Sequence, residues 1–239
     1  MSRGTDQVEG RRAVLELLRA RRRRVRTVWL SGDDLAEIEA EARAARVKVQ
    51  RVPRDQLDGR ARTEASQGVI ATADPVREAD IDELLAEPRA FLVALDGVTD
   101  PGNLGAVMRT AEAAGATGIV VPRHRAARIT PVVTKAAAGA VEHLPIASVS
   151  GIPSALERAR RADLWTVGLD SNGDTELFDL AVADQPLILV LGAEGRGLSR
   201  LARARCDVVA SIPMHGAIES LNVAAAAALA CYEIARRRQ

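Results

Sequence analysis

The sequence predicts an α/β protein built as two units, a small one over residues 1–74 and a larger one over residues 90–239, with residues 75–89 as a charged linker. Three observations predict it. Short apolar runs of buried-strand type alternate with helix-period segments along the chain. Pro75 and Pro88 bracket a polar stretch between the two runs of alternation. Apolar residues make up 47% of 239 residues, enough for a substantial core.

In the smaller unit, Val14, Leu15 and Leu18 recur at helical spacing within 8–22. Residues 25–30 read as a strand, 33–46 as a helix capped by Asp33 or Asp34, and 47–52 as a second strand. A short helix over 54–60 and a strand over 67–73 complete a βαβ-type module at the small end of independent domains. The linker is expected to carry a short helix of its own.

In the larger unit the pattern predicts strands over 91–95, 117–121, 164–169, 187–191 and 207–212. Helices are expected over 104–114, 130–138, 152–161 and 220–237. This alternation argues for a parallel sheet covered on both faces. The first strand runs into the turn residues Asp96-Gly97 and Asp100-Pro101-Gly102-Asn103, then into a helix with Leu104, Val107, Met108 and Ala111 on its core face. Arg109 falls off that stripe. A loop at the carboxyl end of a strand, opening a helix, is where open α/β sheets place ligands. The competing reading is a solvated turn with an exposed arginine.

Composition narrows the function classes. The formal net charge is +1, yet Arg11, Arg12, Arg19, Arg21, Arg22, Arg23, Arg24 and Arg26 crowd one early region. Such a block is either a solvated face or a phosphate-contacting surface. Aromatic residues are 2% of the chain, which argues against recognition by rows of stacking rings. Cys206 and Cys231 show no metal-ligand spacing and read as reduced, buried thiols. No apolar run is long enough to span a bilayer and no signal peptide is evident, so a soluble cytoplasmic protein is expected. The first strand is not followed by Gly-x-Gly-x-x-Gly, and no P-loop lysine motif occurs.

Two later stretches echo the first. Residues 190–199, VLGAEGRGLS, end a strand in a loop with three glycines, the composition of a ligand-cradling loop. Residues 211–222, SIPMHGAIESLN, lead into the last helix, with Ser220 as a possible cap. Leu221, Ala225, Ala228, Leu229 and Tyr232 give that helix one apolar side. Its alanines allow close packing, first within the fold and second across a dimer.

The stretches DPGNLGAVMRTAEAAGA, LGAEGRGLS and IPMHGAIESLNVAAAAAL together resemble the three motifs of the SpoU (TrmH-like) family of RNA ribose 2′-O-methyltransferases, within the SPOUT superfamily. They occur in the family's order and spacing, and the likeness runs from Leu95 onward. The smaller unit resembles the L30e-like substrate-binding domain of ribosomal-RNA members, through Glu9-Gly10, the 14–18 helix and Gln67-Gly68-Val69-Ile70. Ser66 stands where members often carry His. The members most similar are those that act on a guanosine of 23S rRNA.

The resemblance implies a trefoil-knotted, parallel-sheet methyltransferase domain behind a small L30e-like α/β domain. S-adenosyl-L-methionine would bind bent in the knot, lined by Leu191, Gly192, Ile212, Met214 and Leu221. Asn103, Arg109, Glu194, Ser220 and Asn222 would surround the reacting atoms, with no metal. RNA, in particular 23S rRNA, would be the partner, and the chain would be a homodimer with the site near the seam. Arg109 is expected to clamp a substrate phosphate rather than act as base, because a guanidinium does not give up its proton in proteins. Glu194 is expected to buttress the loop. Arg123, Arg125, Arg128 and Lys135 would extend the RNA-contacting face or serve solubility alone, and His124, His143 and His215 receive no role.

The residues also allow other readings. The substrate nucleotide could be a ribosomal adenosine, as for an antibiotic-resistance member, or lie in tRNA. The chain could be an RNA-binding protein without catalysis, against which the five intact motif residues count. It could be a nucleotide-binding protein using GAEGRG as a phosphate loop, which the missing Lys-Ser/Thr disfavours.

Overall fold

The computed structural model describes residues 4–123 and 129–239, which form two compact units. The first contains the chain up to Arg77 and, after an excursion, the described residues up to His143. Its elements are β1 (Asp6–Glu9), α1 (Arg11–Ala20), β2 (Val25–Leu30), α2 (Ala36–Ala44), β3 (Lys48–Arg51), α3 (Arg54–Asp58) and β4 (Val69–Ala73). The sheet order is β1-β4-β2-β3, with β2 and β3 parallel and the other two pairings antiparallel. Its core is the stripe Ala13, Val14, Leu15, Leu17 and Leu18 of α1 laid on Val28, Leu30, Val69 and Ala71.

Three sequence expectations need correction here. Strand β1 was not anticipated: DQVE has weak strand propensity, and it forms because β4 offers it an edge. Consequently α1 begins at Arg11 rather than Val8, after Gly10 turns the chain at φ 97°. Neither Asp33 nor Asp34 caps α2; Leu35 holds that position without a side-chain bond, and Asp34 is in the left-handed region at φ 57°.

After the first unit's main run, α4 (Ile81–Leu85), β5 (Phe91–Asp96), α5 (Pro101–Ala113) and β6 (Gly118–Pro122) belong to the second unit. The chain then returns to the first unit with α6 (Pro131–Ala136) and a 3-10 turn at Ala140–Glu142, which pack on β1 and α1. Arg23 holds this return. Its Nε and Nη2 grip Glu142 at 2.9 and 2.5 Å, and Nη1 reaches Asp6 at 2.8 Å. The Arg23 and Glu142 side chains are only 5% and 3% exposed. Removing one partner of such a pair leaves an uncompensated buried charge. Arg23→Met is therefore expected to lower the stability of the first unit by about 3–5 kcal/mol in urea unfolding. Changing Arg23→Met and Glu142→Leu together should restore most of the loss.

The second unit continues with β7 (Ile146–Val149), α7 (Ile152–Arg161), β8 (Trp165–Leu169), β9 (Thr175–Glu176), β10 (Leu187–Gly192), α8 (Arg200–Arg203), β11 (Val208–Ser211) and α9 (Val223–Arg237). Seven strands form one parallel sheet in the order β7-β6-β5-β10-β8-β11-β9. Leu92 and Ala94 face one side, where α4 and α7 cover them. Phe91, Val93 and Leu95 alternate to the other side and are as completely buried; there α5 and α9 pack on one another. The sequence order reverses between β5 and β10, which places the switch point of the sheet at their carboxyl ends.

Two helix starts differ from expectation. Asp100 caps α5 by accepting from Asn103 N at 2.7 Å, so Pro101 and Asn103 lie in the first turn rather than in a preceding loop. Asn222, not Ser220, caps α9 through a bond from Ala224 N at 2.8 Å. The inner face of α9 is Val223, Ala227, Ala230, Cys231 and Ile234. The apolar side visible in the sequence is its outer one, with Leu221, Leu229 and Tyr232 39%, 40% and 54% exposed.

Candidate active site

Loops leaving the carboxyl ends of β8, β10 and β11 enclose a hollow of about 350 Å³. Leu191, Gly192, Ile212, Met214 and Leu221, the five residues expected at a cofactor, all line it. The local folding follows from the glycines. A Cβ on Gly192 would collide with the backbone of Gly197, so only glycine lets the loop fold back on its own strand. The return is closed by Ala193 N to Gly197 O at 3.0 Å and Gly197 N to Ala193 O at 2.9 Å. Apolar walls beside exposed loop backbone are the surroundings an adenine ring requires.

Beside the hollow, one residue from each motif meets the other two. Asn103 Nδ2 donates to Glu194 Oε1 at 2.9 Å, and Asn222 Nδ2 donates to the same oxygen at 2.7 Å and to Asn103 Oδ1 at 3.1 Å. Asn222 Oδ1 is occupied by the N–H of Ala224, which fixes the orientation of that amide. Glu194 lines the hollow, and two amide donors hold one of its oxygens. That is the geometry of a buttress.

The remaining candidates stand apart from this network. Ser220 lines the hollow but makes no bond to the three side chains. Arg109 projects from α5 exposed, outside the hollow's lining and without a hydrogen-bond or ion-pair partner among the described residues. Arg123 and Lys135 fall in different units, so they do not share one face within either; His124, Arg125 and Arg128 lie outside the described residues. His143 bonds Glu16 at 3.0 Å in the first unit. Among the described residues, no group of three or more His, Cys, Asp or Glu side chains is placed to hold a metal ion.

Sequence reading missed Asp170 and Asn172, which also line the hollow, as does Arg196 of the glycine loop. The available signal was positional: Asp170 directly follows a run of buried-strand type, as the glycine loop does. Both cysteines are structural. Burial pushes the thiols of Cys206 and Cys231 up to about 12, with Asp207 and Asp96 adding to the effect at Cys206. Neither should react with a maleimide at neutral pH in the folded chain, and both should react in urea.

The model of the SpoU rRNA Methylase family matches residues 90–232, and that of the RNA 2′-O ribose methyltransferase substrate-binding domain matches residues 7–79. The chain belongs to the SpoU rRNA methylase family. Among its SpoU relatives, the 23S rRNA (guanosine-2′-O-)-methyltransferase RlmB of Pseudomonas putida is 38% identical over 98% of this chain and 97% of its own length. RlmB of Pseudomonas aeruginosa is 39% identical over 98% and 97%. The SpoU methyltransferase AviRb from Streptomyces viridochromogenes, solved in complex with AdoMet, superposes with a TM-score of 0.83 at 30% identity, covering 98% of this chain and 91% of that one. Full-length coverage extends the SpoU likeness through both units.

Proposed function

We propose that the chain transfers a methyl group from S-adenosylmethionine to the 2′-hydroxyl of a guanosine ribose in 23S rRNA. The observation that carries this reading is the meeting of Asn103, Glu194 and Asn222 beside a hollow lined by Leu191, Gly192, Ile212, Met214 and Leu221. The fit to the cofactor is chemical as well as spatial. Asp170 is already paired with Arg203, and the rest of the lining sets the carboxylates Glu194 and Glu219 against the guanidinium of Arg196, a balance suited to a cationic sulfonium. When bound, S-adenosylmethionine supplies an electrophilic methyl group. The chain's own part is to hold the ribose oxygen in line with that carbon. The amides of Asn103 and Asn222 hold Glu194 and so set the loop wall. The exposed guanidinium of Arg109 is available for a bidentate grip on the phosphate next to the reacting ribose. The hydroxyl proton leaves to that phosphate or to solvent.

Likeness to guanosine-specific relatives over the full chain supports the choice of nucleotide, and the substrate-binding match over 7–79 supports RNA docking by the first unit. The trefoil knot implied by the family likeness belongs to this reading. So does a homodimer: Ala225, Leu229 and Tyr232 form an exposed apolar face along α9, and Leu221, just before that helix, is exposed as well and lines the hollow. A second copy on that face would set the site beside the seam. A cytoplasmic location follows from a ribosomal substrate; among the described residues no helix is long and apolar enough to cross a membrane.

Calorimetry with S-adenosylmethionine and with ATP tests the reading. Binding of the former and transfer of its methyl group to ribosomal RNA are expected. Binding of ATP alone would replace it with a nucleotide-binding role.

A further inference from the structure

We infer that Asp170 is a positioning residue for methyl-donor binding, holding the two facing walls of the hollow at their working separation. This rests on reading the hollow as the donor pocket. One wall is the segment 170–172 after β8, and the other is the glycine loop after β10. In the sheet β10 lies between β5 and β8, with Gly192 opposite Asp96 and Leu191 opposite Leu169. A carboxylate therefore flanks the start of the glycine loop on each side. Asp96 Oδ2 accepts from Ser199 N at 2.7 Å, beyond the loop. Asp170 Oδ2 accepts from Leu198 N at 3.3 Å, and a Cβ on Gly197 would lie only 2.6 Å from that oxygen. The loop is thus pressed directly against Asp170.

The second oxygen of Asp170 binds its own wall. Oδ1 accepts from Asn172 N at 3.1 Å and pairs with Arg203 Nη1 at 3.0 Å. Arg203 Nη2 also donates to Asn172 O at 2.7 Å, which fixes the 170–172 segment to α8. The Asp170 side chain is 11% exposed. All three partners are donors, on both oxygens, so the position demands a group that only accepts. An isosteric amide must turn its NH₂ toward a donor on one side or the other. Either way one wall is released, and a site that must be rigid to bind well loses its preorganisation.

Asp170→Asn, purified as the full chain, is the test. Calorimetry should show S-adenosylmethionine and its thioether product weakened by the same factor, about tenfold or more. In the methylation assay KM for the donor should rise by that factor, with kcat and KM for RNA within about twofold of wild type. Arg203→Met, which removes one donor and leaves the carboxylate, should shift donor affinity in the same direction by a smaller factor; it carries the test if the Asn variant does not fold. Donor affinity within about twofold of wild type in both variants, or a fall in kcat at unchanged KM, overturns the inference. Weakening of the sulfonium alone also overturns it, since that is direct charge contact rather than wall spacing. Wild-type protein that binds no S-adenosylmethionine would instead remove the proposed function itself.

Discussion

Arg109→Ala is expected to cut methyl transfer by about 10²–10³ while leaving affinity for S-adenosylmethionine within about twofold. The side chain lies outside the lining of the hollow and meets no acid among the described residues, so the pocket loses nothing when it is truncated. What it loses is a planar double donor for a phosphate. Lysine offers a point charge without that fork, so Arg109→Lys should recover only part of the rate. Single-turnover methylation alongside calorimetry separates the two quantities. Parallel loss of rate and donor affinity would show that Arg109 belongs to the cofactor pocket and not to the RNA clamp.

Asn222 does two things at once, and its variants divide them. Asn222→Ala removes the cap of α9 and both amide donations, so it should lose about 1 kcal/mol of stability from the cap. The rate should fall by about 10² or more, because Glu194 and Asn103 lose the partner that fixes them. Asn222→Asp caps a helix equally well but sets a second carboxylate against Glu194. It should keep the stability and still lose the rate. Urea unfolding beside the methylation assay distinguishes the two; an active Asp variant would reduce Asn222 to a cap.

Much of this was legible in the residues because the relevant signals are local. Strands β5 and β10 are continuous apolar runs, the mark of strands buried on both faces, and the glycines of 192–197 announce a loop that folds back on itself. Where sequence reasoning went astray, tertiary context had overridden local preference. Ser220 and Asn222 are both good caps, and only the fold shows that it is Asn222 that accepts from Ala224 N. The apolar side named from the sequence is the outer side of α9, and the inner one went unnamed because that helix is apolar on two faces. The return of α6 to the first unit brings Glu142 to Arg23, 119 residues apart, which no periodicity reveals. Asp170 escaped notice for the same reason: its partners come from α8 and the glycine loop, and only the sheet order brings them together.

The most direct measurement is site mapping of 2′-O-methyl groups on 23S rRNA treated with the purified protein and S-adenosylmethionine. One new 2′-O-methylguanosine, absent from the Arg109→Ala reaction, is the predicted result. Methylation on a base, or unmodified ribosomal RNA in the presence of a protein that binds the donor, would contradict it.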